Sequence, residues 1–418
     1  MNKEPLVSII VVDFNGQHFW NRLLDSLSDQ TFSNFELIVV DNGGHLELPE
    51  SHDGIRIKVL NRKENLGFSA GCNLGVSASV GDWVVFLNND TVVEKNWLEC
   101  LFSKMISNVS VGAVVSKIVF YPRYTRLRIS VPTFKPSDTD LSSDSRSLGV
   151  RVRFSPRWDE STGLLNLEGF HGKEIEGNFE WRWTSEIANV CIPCFPRETT
   201  ESQELIVSTP HETVGETASI EIGEDKMSIP IDCVQHVFGL EKRATFDIIN
   251  SAGSELEDDG TCREEGIYKI DSGQYDIPRE VTAFSGCSVM IRRDLFEELG
   301  GFDPKFFAYY EDTDLSWRMR KAGWKIMYEP KSVVRHHRSG TSGEQSPFFC
   351  FHIYRNMRWN VAKNARLRRA LPLLLMELFS WIPSSVNTNN EFSALRLKRE
   401  TIAGMVKYLV RRLTQAIG

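Results

Sequence analysis

The chain opens with a rhythm of apolar runs separated by helical spacings. Leu6 to Val12 is a continuous, mostly β-branched run, which suits a strand buried on both faces of a parallel sheet. Phe19 to Leu27 then carries apolar residues at helical spacing, Phe35 to Val40 is a second buried strand, and Ile55 to Leu60 is a third. Ser69 to Ala78 reads as a helix, Trp83 to Leu87 as a strand, Asn96 to Ile106 as a helix and Val111 to Phe120 as a strand. Strands alternating with helices in this way predict an α/β fold, a doubly wound and mostly parallel sheet flanked by helices. Ligands in such sheets bind outside the carboxyl ends of the strands.

Polar residues gather at those ends. The first strand runs into Asp13, Asn15 and Gly16, the second into Asp41, Asn42, Gly43 and Gly44, and the fourth into Asn88, Asn89 and Asp90. An acidic residue just after a strand can accept hydrogen bonds from a ribose or a base edge, and glycines let the backbone approach a ligand. The pattern favours a nucleotide, with Asn15 and Asn89 as further polar contacts. No GxGxxG and no Gly-rich Walker loop occurs, which removes support for a dinucleotide enzyme or a P-loop NTPase. A diphosphate then needs another source of positive charge. Asp90, at the end of an apolar strand, is placed to hold a hard divalent cation that bridges two phosphates, unless Asn-Asn-Asp is a simple turn.

A second concentration of charge lies in Tyr309 to Trp324, YYEDTDLSWRMRKAGW, where Glu311, Asp312 and Asp314 open a predicted helix. Carboxylates this close repel one another, so they imply a helix N-terminus, a cation or proton-transfer chemistry. The basic Arg318, Arg320 and Lys321 that follow complete the pattern expected of a helix dipole alone.

Composition narrows the class further. The 418 residues are 41% hydrophobic, enough for a sizeable core, and the net charge of -8 argues against nucleic acid as a partner. That charge is uneven: residues 198 to 265 hold 17 acidic against 4 basic residues, whereas Lys363 to the end holds 10 basic against 3 acidic. Eight cysteines, with no signal-peptide pattern before the first strand, point to free thiols in a reducing compartment. The single CxxC, Cys191 and Cys194, has no second pair, and Cys233 and Cys262 fit no zinc spacing.

Six segments in order then resemble one known family. They are VSIIVVDFNG (7 to 16), LIVVDNGG (37 to 44), NLGFSAGCNLGV (65 to 76), VVFLNNDTVVEKNWL (84 to 98), FSGCSVMIRRDLFEELGGFDPKFFAYYEDTDLSWRMRKAGW (284 to 324) and VVRHHRSGTSG (333 to 343). Together they look like a family 2 glycosyltransferase of the GT-A fold, close to its rhamnosyltransferase-like branch, and FHIYRNMRWNVAKN (351 to 364) resembles the signature that follows the catalytic domain. The resemblance implies that Asp13 and Asp41 contact the nucleoside and that Asn65, Gly67 and Asn73 lie in the motif lining the donor pocket. It also implies that Gly286 leaves room for the donor sugar. Asp90 matches the last position of the metal-binding DXD-type motif, with Asn88 in place of the first aspartate, and His336 matches a histidine that completes the metal site or contacts the diphosphate. Asp312 matches the general base of the Glu-Asp motif, with Glu311 beside it; Glu311 and Asp314 would orient the acceptor or hold the loop.

The implied reaction is inverting transfer of a sugar, hexosyl or rhamnosyl, from a nucleotide-diphosphate sugar to a glycan or lipid-linked saccharide acceptor in surface polysaccharide synthesis, aided by Mg or Mn. Such displacement needs one base for the acceptor hydroxyl and a stabilised diphosphate leaving group. A nucleotidyltransferase shares a related sheet but would place basic residues after the first strand, where DFNGQHFW has neither Lys nor Arg. A catalytically inert glycan-binding protein would not need Asp90, Asp312 and His336 together.

The expected organisation is a nucleotide-sugar-binding half over 1–120, an inserted antiparallel β-sandwich-like domain over 121–278, an acceptor and catalytic half over 279–365, and a helical, basic tail over 366–418. In the insert, 179–193, 204–208, 218–223 and 244–250 read as strands, and Trp158, Trp181 and Trp183 either fill its core or stack on glycan. In the tail, Ala370 to Pro383 is apolar over about 14 residues, short of the about 20 that span a bilayer. Flanked by arginines and lysines, it lies on an anionic membrane surface, packs as a buried helix or makes an oligomer contact, and the chain is expected in the cytoplasm, peripheral at the inner face of the membrane.

Overall fold

The β-branched runs at the start of the chain become the strands Val7–Asp13, Phe35–Asp41, Ile55–Asn61 and Trp83–Leu87, which pair in parallel around Val7–Asp13. The computed structural model describes residues 5–139, 143–154, 164–177, 179–195, 204–208, 216–232, 234–239, 243–257, 259–337, 346–383, 386, 388–389 and 391–417. Beyond Trp83–Leu87 the sheet continues with Ser288–Arg292, Val111–Tyr121, Lys325–His337 and Arg279–Val281. Ser288–Arg292 runs antiparallel to both of its neighbours, so the sheet is parallel in one half and mixed in the other. The α/β sheet expected from the sequence is thus present.

Strand geometry explains the two-faced core. Successive side chains point to opposite faces, and Ile10 joins one apolar cluster with Cys72, Val76 and Phe86 while Ile9 and Val11 join the other with Trp20, Leu23 and Leu27. The helix Trp20–Ser28 covers the second face and the helix Gly67–Ser77 the first. Gly75 is what brings that helix close: a Cβ there would sit 2.3 Å from Ile10 Cγ2. The register aligns Asp13 with Asp41 and Asp41 with Asn61, so the polar strand ends finish level with one another.

Contacts divide the chain into two units, one of Met1–Val119, Ile249–Ile267 and Ser272–Gly418, the other of Phe120–Ile248 and Tyr268–Asp271. The second unit is an eight-stranded antiparallel sheet. Its long strand Phe179–Cys194 pairs over 187–194 with Arg123–Ser130 and over 182–183 with Arg151–Arg153. Ile129 and Ile220 from one half and Val152 and Val207 from the other share one core, which is sandwich-like packing. Trp181 is buried with the Arg151 guanidinium 4.7 Å from its ring centroid, and Trp183 donates to Glu174 Oε2 at 3.0 Å. Cys191 and Cys194 lie three apart on a strand and therefore point to opposite faces. Trp158 and Cys233 fall outside the described residues.

The expected insert boundary of 121–278 is corrected in one respect. Residues 249–267 and 272–278 belong to the first unit, and the predicted strand over 244–250 is replaced by Ile249–Ser251, which pairs with Ile118 and Val119 of the large sheet. Apolar alternation marks a strand but not the sheet it joins. Three helices, Pro347–Asn364, Leu367–Phe379 and Ala394–Ile417, complete the first unit. No described helix is long and apolar enough to cross a membrane. Trp317 packs in the cluster under these helices, and Trp324, beyond the end of the helix Glu311–Lys321, packs against the sheet core.

One polar side chain ties two segments of the fold across a large sequence separation. Asn73 Nδ2 donates to the Phe302 carbonyl at 2.7 Å, and its Oδ1 accepts from the Phe302 N–H at 3.0 Å. Asn73→Ala leaves both backbone groups unmet and is expected to cost about 2 kcal/mol, read as a lower urea midpoint with unchanged slope.

Candidate functional site

The strand ends and the Glu311–Lys321 helix meet at a cavity of about 860 Å³ in the first unit. Asn65, Gly67, Asn89, Asp90, Gly286, Glu311, Asp312 and His336 line it, whereas Asp13, Asn15, Asp41 and Asn73 do not. The last four have other contacts or positions. Asp13 accepts from the Trp20 indole (2.8 Å), the Asn89 amide (2.6 Å) and the Gly16 N–H (3.2 Å). Asp41 accepts from the N–H groups of Gly43, Gly44 and Leu46. Both carboxylates therefore fold the loops behind the cavity, with Asn15 exposed in the left-handed region (φ 58°) beside them. Asn73 braces Phe302, as described above. Sequence reasoning placed Asp13, Asn15 and Asp41 correctly at strand ends and Asn73 in a helix, but could not tell which way each pointed.

Asn42, which also follows the second strand, does reach the cavity. Its amide donates to Asn65 Oδ1 (2.8 Å) and its Oδ1 accepts from the Leu66 N–H (2.9 Å), while Asn65 Oδ1 also accepts from the Gly67 N–H. Gly67 has φ 79°, and a Cβ there would lie 2.6 Å from the Phe307 carbonyl oxygen. Only glycine allows this loop to touch the Phe307 segment.

At Asp90 the carboxylate is buried and its Oδ1 makes no hydrogen bond, although it lies 3.2 Å from His336 Nε2. His336 Nδ1 is 2.8 Å from Asn250 Oδ1. An amide oxygen only accepts, so with Asn250 in this orientation the bond takes the ring proton on Nδ1 and turns Nε2 towards Asp90. An unmet buried carboxylate oxygen beside an oriented imidazole is a fitting donor pair for a hard divalent cation. Among the described residues no group of three His, Cys, Asp or Glu side chains converges on a metal position. The remaining coordination would come from phosphate oxygens and water, as is usual for Mg²⁺. His337 is not at the cavity wall; burial pushes its imidazole down to about 4.

The acidic helix start separates into three distinct environments. Asp314, fully buried, accepts from Arg318 Nη2 (2.6 Å), Lys363 Nζ (2.9 Å) and Asn364 Nδ2 (2.7 Å), which corrects the acceptor-orienting alternative in favour of holding the loop. Asp312 accepts from the Gly286 N–H at Oδ2 (3.0 Å) and from the Thr313 N–H (2.7 Å) and hydroxyl (3.3 Å) at Oδ1. Burial raises its carboxyl above the usual range, and those hydrogen bonds oppose the rise. Glu311 is buried with Oε2 unpartnered, and burial followed by the Asp312 charge raises it well above the usual range.

The backbone before this helix is held in an unfavourable form. Phe307, Tyr309 and Tyr310 have φ of 66°, 67° and 69°, a region that costs L-residues about 1–3 kcal/mol each. Asn356 holds them there, its Nδ2 donating to the carbonyls of Phe306, Ala308 and Tyr309 at 2.8–2.9 Å.

The cavity also contains residues that the sequence did not single out. Asn250, Ser251, Cys262 and Glu264 come from the segment assigned to the insert. Glu264 Oε2 accepts from the Ser251 and Ser254 hydroxyls, the latter at 2.9 Å. Burial pushes its carboxyl up to about 7, with the two hydroxyls opposing and Asp312 adding to the rise. No motif signals these positions; the acidic run that holds Glu264 reads as a solvated turn.

Residues 8–156 match the family described as Glycosyl transferase family 2, and residues 268–362 match Glycosyltransferase like family 2. The chain belongs to the family 2 glycosyltransferases. It is 30% identical over 122 residues to an uncharacterised glycosyltransferase of Haemophilus influenzae, covering 28% of this chain and 38% of that protein. Over 65 residues it is 43% identical to the N-acetylglucosaminyl-diphospho-decaprenol L-rhamnosyltransferase of Mycobacterium tuberculosis, covering 16% of this chain and 21% of that enzyme. These stretches span well under two thirds of either relative. Among solved structures, the mannosyltransferase PcManGT of Pyrobaculum calidifontis, in complex with GDP-Man and Mn2+, aligns at TM-score 0.41 and 12% identity, covering 98% of this glycosyltransferase chain and 88% of the other.

Glu264 supplies a testable pH dependence. Its folded carboxyl keeps a proton to about 7 that the unfolded chain releases near 4.5, so stability is full below that window and declines as pH rises through it. Glu264→Gln removes the decline from this group. Thermal midpoints should fall less steeply in the variant between about pH 5 and 7, by about 2 °C; parallel curves would contradict the raised carboxyl.

Proposed function

We propose that this family 2 glycosyltransferase transfers a sugar from a nucleotide-diphosphate sugar to a saccharide hydroxyl with inversion, using Asp312 as the base. One observation carries the reading: Asp90 with its unmet oxygen, the oriented His336 and the hydrogen-bonded Asp312 carboxylate line the same cavity. The wall fits a ligand with two ends. Phe14, Asn42 and Asn65 line the strand-end side, where a nucleoside is expected, and Asp312 lies beside Gly286, where a small residue leaves space for the donor sugar.

In the reaction Asp312 takes the acceptor hydroxyl proton as the new carbon–oxygen bond forms and the bond to the diphosphate breaks on the opposite face. The Gly286 and Thr313 donors keep Asp312 ionised despite burial, and the same burial makes it a stronger base. Burial, followed by the Asp312 charge, raises Glu311 well above the usual range, which favours a single charge on the pair. The described cavity wall has neither Lys nor Arg, and Asp90 with His336 would hold a divalent cation, Mg²⁺ or Mn²⁺, that neutralises the leaving diphosphate. The likeness to a rhamnosyltransferase acting on a diphospho-decaprenol-linked substrate supports rhamnosyl or a related hexosyl donor and a glycan or lipid-linked acceptor in surface polysaccharide synthesis.

A panel of UDP, dTDP and GDP sugars, read by thermal shift with and without Mn²⁺, identifies the donor. Asp312→Asn is expected to lower transfer by about 10³-fold with the nucleotide-sugar shift retained, and Asp90→Asn to lose the Mn²⁺-dependent part of that shift. Turnover near the wild-type rate in Asp312→Asn would overturn the assignment of the base.

A further inference from the structure

The helix Leu367–Phe379 is apolar on both of its faces. Its inner face packs Ala370, Leu373 and Leu374 in the core and also buries Glu377, which accepts from Arg358 Nε at 2.7 Å and from the Tyr354 hydroxyl at 3.1 and 3.2 Å. Its outer face exposes Leu371, Leu375, Met376, Leu378 and Phe379, and Phe379 is 85% exposed. Trp381 follows at 91% exposure. A helix in water normally turns its apolar stripe inward and its charges outward. Burying an ion pair while leaving a leucine, methionine and aromatic face in solvent gives no stability in water, since such a pair rarely returns its desolvation cost. The face therefore needs a partner.

Charge identifies the partner. Arg366, Arg368 and Arg369 are exposed in the first turns of this helix, and the exposed Arg396, Arg399, Lys407 and Arg411 follow on the helix Ala394–Ile417. That second helix also exposes Leu395, Val406, Val410 and Leu413, at spacings that return to one face at 3.6 residues per turn. A second copy of this chain would bring one basic surface against another. An anionic lipid bilayer matches both features at once: apolar side chains enter the headgroup boundary and the arginines and lysines meet the phosphates.

The cavity continues this theme. Phe348, Phe349, Ile353 and Phe392 also line it, and Phe392 lies in the chain between Trp381 and the second tail helix. Aromatic rings stack on sugar faces, but a wall of three phenylalanines and an isoleucine buries more of an acceptor that carries a hydrocarbon chain.

We propose that the outer face of Leu367–Phe379, together with Trp381 and the basic residues around it, seats the protein on an anionic lipid bilayer from which an acceptor bearing an apolar chain enters the cavity. The acceptor half of this inference rests on the transferase reading; the bilayer half does not.

The test is co-sedimentation of the full chain with vesicles of phosphatidylcholine alone or with phosphatidylglycerol, over a range of salt. Binding is expected only with the anionic lipid and should weaken as salt rises. Phe379→Ser with Trp381→Ser should lower the partition coefficient by about tenfold or more, and Arg368→Glu with Arg369→Glu by about fivefold per residue. All four positions are exposed, and circular dichroism with the thermal midpoint checks that the variants fold. Nucleotide-sugar thermal shift on the same preparation reports on the donor reading separately, so either can fail alone. The bilayer proposal is overturned by no binding to anionic vesicles at low salt, by binding unaffected in the Phe379 and Trp381 variant, or by a concentration-dependent dimer that this variant dissociates.

Discussion

Glu311 and Asp312 can face a cavity together because Asp314 is neutralised from behind. A fully buried carboxylate one turn from two others would be untenable alone, and the cost of isolated buried charge runs to several kcal/mol. Arg318 from the same helix and Lys363 with Asn364 from the end of Pro347–Asn364 close on it at 2.6–2.9 Å. The same contacts lock one helix to the other. From that locked helix Asn356 reaches the Phe306, Ala308 and Tyr309 carbonyls and holds the left-handed turn that delivers Glu311 and Asp312 to the cavity. The site geometry is thus stored strain restrained by a buried polar network.

That arrangement divides the acidic residues by task. Asp13 and Asp41, saturated by donors from the chain, shape loops and carry little reactivity. Asp90 keeps an unmet oxygen, Asp312 is stabilised as an anion by three donors, and Glu264 and Glu311 are pushed towards the neutral form by burial. Four ionised carboxylates at one cavity would repel an anionic ligand. Burial that pushes Glu264 and Glu311 towards the neutral form lowers that repulsion, and a cation held at Asp90 would lower it further.

Much of this was legible in the chain. Continuous Val and Ile runs suit strands buried on both faces, so the parallel half of the sheet and its strand ends followed directly, whereas the grouping of Asp90, His336, Gly286 and Asp312 was implied by the family resemblance alone. Orientation was not legible: Asp13 and Asp90 both follow apolar strands, yet one turns back onto Trp20 and Asn89 while the other remains unmet. Nor was the way Ala370 to Pro383 divides: Ala370, Leu373 and Leu374 pack in the core under the tail helices, while Leu371, Leu375, Met376 and Phe379 stay exposed.

The return segment shows why sequence boundaries mislead at a functional site. The chain leaves the large sheet along Val111–Tyr121 and comes back as Ile249–Ser251, paired antiparallel with Ile118 and Val119 of the strand it left. With its two ends hydrogen-bonded to each other, an insertion adds little closure entropy to the parent sheet whatever its length. The return path is then free to carry new chemistry. Asn250 meets His336 Nδ1, and Ser251 with Ser254 holds Glu264 at the cavity wall. The segment that reads as the end of an insertion is, in three dimensions, one wall of the site, and the six recognisable motifs with residues of 346–353 and 389–392 supply the others.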